Sequence, residues 1–298
     1  MNSPGKFDPV AQLPVFCLAP GLYHYAPSPE RPWKVHQPPG TEAQWTICGS
    51  SPLRPLDLRV WSALVAMAHW TANQEWIRFP FSDPGDAALH RGLALRPNPE
   101  PRVPTVAVVR TSWSALAREV RGAPMQSSVL RGSVAKWQAT RITKLDIQRS
   151  SRTLFWDESS SDDYRRPVTV VLNPFVSQIQ HVAHGGVSYT LLSMEDMRQL
   201  SDAALLIYVR CCGFINRGDP KTLMFETFHR YLWGPVPSPS DRNERHRRGR
   251  TRDALAELQT IGWQIEGPQG PRANYRIQRP AEPGTAVSRS GRARNNKR

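Results

Sequence analysis

Cysteine is scarce in this chain: four in 298 residues, at Cys17, Cys48, Cys211 and Cys212. They are too few and too scattered for a disulfide framework, so reduced thiols are expected. Cys211 and Cys212 fall in a helix-like apolar run, where adjacent side chains point about 100° apart and cannot converge on one ion as Cys-x-x-Cys does. No zinc site is expected. Long apolar runs are also missing. A membrane span needs about 18 or more consecutive apolar residues, and the longest stretches here, residues 63–68 and 203–209, fall far short. Residues 1–15 hold Lys6 as their one basic residue and are interrupted by Pro4, Pro9 and Pro14, which is not the pattern of a secretory leader. A cytoplasmic protein with no membrane among its partners is the expectation.

Enzyme signatures fail one by one. A Walker-type phosphate loop needs glycine, four residues, glycine, lysine and serine or threonine. The nearest approach, residues 213–219, has Asp219 in the lysine position. A metal-dependent DNA nickase would want clustered histidines and a nucleophilic tyrosine. His181 and His184 stand beside Gly185 and Gly186 with no evident third ligand. No catalytic residue, metal or cofactor is therefore assigned.

Negative charge is in short supply, with 25 Asp and Glu against 39 Lys and Arg, a formal net charge of +14. A positive field of that size must be matched by an anionic partner or by counterions. Most of the basic residues are arginine, whose planar fork grips a phosphate or the O6/N7 edge of guanine with two hydrogen bonds, which lysine cannot do. That points to nucleic acid over lipid.

The length suggests two domains, since domains usually run to about 100–200 residues. Residues 1–50, crowded with proline and aromatics such as Tyr23, Tyr25 and Trp33, show no helix or strand period and read as a disordered arm. A core helix is predicted over 56–69, with Leu56, Val60, Leu64 and Met67 on one face. Prolines make 71–104 a long loop. Then come a strand over 105–110, a helix capped by Ser112 and stopped by Gly122, and a second helix over 126–142 whose Val129, Val134, Trp137 and Ile142 stack while Arg131, Lys136 and Arg141 face outward. Strand-like segments at 143–148, 153–156 and 168–172, with a polar turn at 149–152, complete a helix-turn-helix followed by a hairpin, the order of a winged helix.

The second half repeats that order. A helix opens at Ser193 with Glu195 and Asp196 in its first turn and runs on to Cys212. A strand at 222–224, a helix over 225–233 and a long helix over 240–260 follow. Strands at 263–266 and 274–278 form a hairpin. The predicted architecture is α+β: a proline-rich arm (1–50), two tandem winged-helix domains (51–180 and 188–280) and a disordered basic tail (281–298).

Residues 241–261 carry the sharpest signal. Arg242, Arg245, Arg247, Arg248, Arg250 and Arg252 occupy the first half, and Ala254, Leu255, Leu258 and Ile261 anchor the second, the division of labour of a helix that reads a groove. The alternative is a solvated basic helix or a disordered linker. Arg131, Lys136 and Arg141 form a second, less sharply patterned DNA-binding candidate.

Several blocks occur in order along the chain: Cys17 to Leu22, Asp57-Leu-Arg with residues 63–68, residues 114–119, residues 171–174, residues 193–213, and a last block from Arg252 through Gly262-Trp263 to Arg279-Pro280. In these the chain resembles the replication protein C family of IncQ-type plasmids. The resemblance implies tandem winged helices and a non-enzymatic initiator that binds directly repeated sites, iterons, in double-stranded origin DNA. It also implies opening of the duplex, recruitment of a plasmid-encoded or host helicase and primase, and a part in plasmid copy control, with a homodimer left open. It bears most on Arg245, Arg248 and Arg252. A tandem winged-helix transcriptional repressor is the rival reading.

Overall fold

The computed structural model describes residues 10–14, 22–23, 25, 33–36, 45–49, 51–70, 74–77, 106–144, 149–152, 154–156, 168–173, 189–234, 240–269 and 273–281. Strands β1 (Val10–Pro14), β2 (Trp33–His36) and β3 (Trp45–Gly49) precede helix α1 (Pro55–Trp70) and strands β4 (Gln74–Ile77) and β5 (Val106–Thr111). Helices α2 (Trp113–Arg121) and α3 (Ser127–Ala139) are followed by β6 (Arg141–Lys144), β7 (Arg149–Arg152), β8 (Leu154–Trp156), β9 (Val168–Leu172) and β10 (Tyr189–Ser193). The rest comprises α4 (Met194–Gln199), α5 (Asp202–Cys212), β11 (Pro220–Met224), α6 (Phe225–Trp233), α7 (Asp241–Thr260), β12 (Gln264–Gln269) and β13 (Asn274–Gln278).

One order of elements occurs twice. A helix, a strand, two helices and two strands run as α1, β5, α2, α3, β8, β9 and again as α5, β11, α6, α7, β12, β13. The strands pair alike: β5–β9–β8 in the first set and β11–β13–β12 in the second, each with the last strand in the middle and every pairing antiparallel. The first set has additions: β4, between α1 and β5, pairs with β5 at the edge of its sheet, and the hairpin β6–β7 pairs through β6 with β3 in a separate sheet, β2–β3–β6–β7.

Local chemistry accounts for the helices. The Ser112 side chain accepts from Ala115 N at 3.1 Å, and Gly122 ends α2 in the left-handed region at φ 70°. This is the Ser-first, Gly-last asymmetry of helix ends. Trp113, Leu116, Ala117 and Val120 recur at helical spacing and are buried. Residues 203–212 of α5 are buried on every side, as befits a helix at the centre of a core. Buried residues form one cluster from Leu22 to Ile277, so the two sets share a core.

Polar groups pin the two sets together. Arg59 of α1, 1% exposed, donates to the Leu200 carbonyl and lies 3.6 Å from Asp202. Burial holds its pKa down to about 10, with Asp202 opposing that shift. Arg198 of α4 reaches Glu119 of α2 at 3.0 Å. Within the second set, Ser201 N donates to Glu257 at 2.8 Å. Arg279 closes the end of β13 onto the Leu191 and Cys212 carbonyls.

Several expectations are corrected. The first fifty residues are not an arm without regular structure: β1 pairs with β10, β3 pairs with β6, and Leu22 and Tyr23 are buried at 0% and 3% exposure. Tertiary pairing, which has no local period, forms these strands. Within 71–104 the described residues include a strand, β4, paired with β5. The helix predicted over 126–142 stops at Ala139, so Ile142 and Arg141 belong to β6, and Val129 is 41% exposed while its neighbour Leu130 is buried. Residues 149–152 are a strand rather than a turn. The helix from Ser193 is two helices, broken at Leu200 and restarted by Ser201, whose side chain accepts from Ala204 N. Cys17, His181, His184 and the tail beyond residue 281 lie outside the described residues.

Candidate nucleic-acid interface

Helix α7 is built as its sequence suggests. The Ser240 side chain accepts from Asn243 N at 3.3 Å, and Asp241 and Glu244 lie in the first turn, where the helix dipole favours negative charge. Thr251, Ala254, Leu255 and Leu258 are buried against the rest of the fold. At about 100° per residue, that buried stripe fixes where every arginine points.

The six arginines divide into two groups. Arg242, Arg245 and Arg250 are exposed and have no protein partner among the described residues. Arg252 is also exposed and lies over the Phe225 ring at 5.5 Å. Arg247 and Arg248 turn toward α6. Arg247 lies 5.1 Å over the Trp233 ring. Arg248 lies 4.9 Å over Phe225 and makes ion pairs with Glu226 at 2.7 Å and Glu244 at 3.6 Å. These two fix the helix to its neighbour; Arg252 touches that neighbour while staying exposed, and among the described residues Arg242, Arg245 and Arg250 make no contact with it.

His229 of α6 sits under this network. Its Nε2 is 3.4 Å from Glu244 and its Nδ1 is 3.3 Å from the Thr251 hydroxyl, which itself donates to the Arg247 carbonyl. Burial lowers the imidazole pKa below its usual value, Arg248 and Arg247 add to that, and Glu244 and Glu226 oppose it. Through these two contacts the ring joins α6 to α7.

The other three candidates are not brought together as one helical face. Arg131 lies over the Trp113 ring at 5.6 Å. Lys136, expected to face outward, is bound to the buried Asp57 at 3.1 Å. Asp57 also accepts from Arg54 N, and its carbonyl accepts from the Trp137 indole. Arg141 is exposed at the start of β6. The register sets Arg141 opposite Arg152 and Lys144 opposite Arg149, a concentration of basic positions on the hairpin that reading 149–152 as a turn had missed. Sequence reasoning also missed Phe225, Glu226 and Trp233 as the partners that select among the arginines. The i,i+4 spacing of Glu244 and Arg248 was the one local signal for any of them.

Neighbouring thiols offer no chemistry to this surface. Cys211 and Cys212 are free and buried. Burial raises both thiol pKa values, that of Cys212 to about 12, so neither is a thiolate at neutral pH. Among the described residues no three His, Cys, Asp or Glu side chains are placed to hold a metal ion, and no helix is long and apolar enough to cross a membrane.

A mixed fold of helices and antiparallel strands, carrying an arginine-lined helix face, is here the fold of a replication protein. The chain belongs to the replication protein C (RepC) family, whose model matches residues 6–281. None of the curated proteins matches the sequence. Among solved structures, that of selenomethionine derivatives of domains 2 and 3 of RctB is similar with a TM-score of 0.48 and 12% identity, covering 85% of this chain and 93% of that one. A second structure of RctB domains 2–3 has a TM-score of 0.45 and 12% identity, over 85% and 94% of the two chains.

Proposed function

We propose that this protein is a plasmid replication initiator of the IncQ type that binds directly repeated sites in double-stranded origin DNA through two winged-helix units, residues 51–180 and 188–280. The twice-used order of helix, strand, two helices and hairpin supports the two units. In this reading α7 is the recognition helix of the second unit and α3 its counterpart in the first.

The observation that carries the proposal is the outward face of α7. Arg242, Arg245, Arg250 and Arg252 are exposed without a carboxylate partner among the described residues, on a helix whose opposite side is buried. A face of that kind suits the major groove, which is wide enough to admit an α-helix and presents guanine O6 and N7 to an arginine fork. Phosphate contacts supply affinity, and a few base contacts supply selectivity. Recruitment of a helicase and primase follows from the initiator role, and the protein acts by binding rather than by catalysis.

Footprinting on the native origin at graded salt tests this. Protected segments should recur as direct repeats, and log affinity should fall linearly with log salt, with a slope of about −3 to −4 if the four exposed arginines each displace one condensed ion. A single inverted repeat at a promoter would favour a repressor instead. A salt-independent affinity would remove the proposed interface altogether.

A further inference from the structure

Glycine inside a helix is unfavourable relative to alanine, because it loses more backbone freedom on folding. Among the described residues only Gly132 of α3 and Gly249 of α7 lie inside helices. They occupy the same place in the repeated order, the third helix of each set. Neither has a positive φ, and a Cβ built on either would meet nothing within 4 Å. Gly267 is the contrast. Its φ is +151°, and a Cβ there would stand 2.9 Å from the Asn274 carbonyl oxygen and from the Tyr275 ring. The fold requires glycine at 267 and does not require it at 132 or 249.

Gly249 lies at the middle of the outward face of α7. Its neighbours along that face are Arg245 four residues before it and Arg252 three residues after, both exposed, with Arg242 a further turn away. Gly132 is exposed on α3, opposite the buried Leu130, Ser133, Val134 and Trp137. A glycine that the protein interior does not explain, at the centre of a cationic helix face, is what close approach of main chain to a ligand demands.

We propose that Gly132 and Gly249 are the points where each helix backbone comes closest to duplex DNA, with the absent side chain letting the helix seat deeply enough for the flanking side chains to reach base edges. This rests on the reading of α7 and α3 as recognition helices. Adding a methyl at either position lifts the helix and costs contacts on both sides of it, while leaving the fold intact.

Full-length wild type, Gly132→Ala, Gly249→Ala, Gly249→Leu, and the double variant Arg242→Ala with Arg245→Ala are compared by thermal unfolding and by fluorescence anisotropy. The probes are a duplex selected from a randomised pool by the wild-type protein and a random-sequence duplex of equal length. Gly249→Ala should keep or raise the melting temperature, by about 1–3 °C. Its affinity for the selected duplex should fall about tenfold or more, the loss of one or two good base contacts, with a smaller effect on the random duplex. Gly249→Leu should lose more, and Gly132→Ala should behave as Gly249→Ala does. If the glycine variants bind as wild type does while the arginine variant loses affinity, the inference is overturned and the recognition-helix reading stands. If none of the variants loses affinity, both fall. A lower melting temperature for the alanine variants would make the glycines structural and also overturn the inference.

Discussion

At the scale of single residues, adjacent arginines on α7 do different work. Arg248 is held by Glu226, Glu244 and the Phe225 ring, whereas Arg245 is exposed and free of such partners among the described residues. Both ion-pair partners of Arg248 are partly solvated, so the pairs contribute little beyond about 0–1 kcal/mol, and the ring contact adds about 0.5–1. Arg248→Ala should therefore lower unfolding stability by about 1 kcal/mol. Arg245→Ala should leave stability within about 0.5 kcal/mol and instead weaken binding to the selected duplex by about 1–3 kcal/mol if it makes a bidentate base contact. Urea unfolding and anisotropy on the same two variants check this double dissociation. Equal stability loss from both, with equal binding, would place Arg245 in a purely structural role. The distinction was partly legible in the sequence: projecting back from Ala254, Leu255 and Leu258 at about 100° per residue puts 247 and 248 toward the buried side. Which aromatic and acidic partners wait there is a tertiary fact, since Phe225, Glu226 and Trp233 lie on another helix.

At the scale of elements, α6 and α7 are coupled through His229, and the coupling depends on pH. The imidazole pKa is lowered in the folded protein, chiefly by burial, while the unfolded value is about 6.5. A depressed pKa means that the unfolded chain takes up a proton first. The stabilisation is then fully present above about pH 6.5 and is lost as pH falls through the lower folded value. Urea midpoints should decline between pH 7.5 and pH 5.5, and His229→Gln should flatten that decline. An unchanged slope would show that other groups set the pH response. Glu244 and Glu226 soften the effect by favouring the charged ring, and Arg247 and Arg248 sharpen it.

Elements were also where the sequence spoke most clearly. Helix α7 could be bounded because both ends are punctuated, by Ser240 at the start and Gly262 after the end, and because its charged and apolar halves are distinct. Helix α6 was equally clear, being closed by Gly234. The break between α4 and α5 was hidden because the apolar spacing from Ser193 to Cys212 continues across it. Only the cap at Ser201, bonded to Ala204 N, marks the restart. Strands β6 and β7 were misjudged because Arg149, Ser150, Ser151 and Arg152 have turn-like composition. They pair with each other as a local hairpin, and β6 is held on its other side by β3, more than ninety residues earlier, a tertiary contact with no local signal.

At the scale of the whole molecule, Leu22, Tyr23 and Tyr25 act as a strap across both halves. Leu22 and Tyr23 are buried, and Tyr23 bridges to Leu53 just before α1. The Tyr23 ring meets the edge of Trp137 on α3, with centroids 6.3 Å apart. Two residues on, Tyr25 makes a T-shaped contact with Trp233 of α6 at 5.1 Å, so one short segment touches a helix of each repeated set. Arg210, buried at the centre of the core, has its pKa lowered to about 10 by burial. At neutral pH it is still a cation. Tyr23→Ala should cost about 3–5 kcal/mol, in the range of large aromatic truncations, and Tyr23→Phe, which keeps the ring and its packing, should cost far less. Because the strap spans one continuous core, the loss should appear as a single unfolding transition shifted as a whole when tryptophan fluorescence and far-ultraviolet circular dichroism are followed together. Two separated transitions in Tyr23→Ala, one of them unmoved, would instead mean that the halves fold independently and that the strap belongs to one of them.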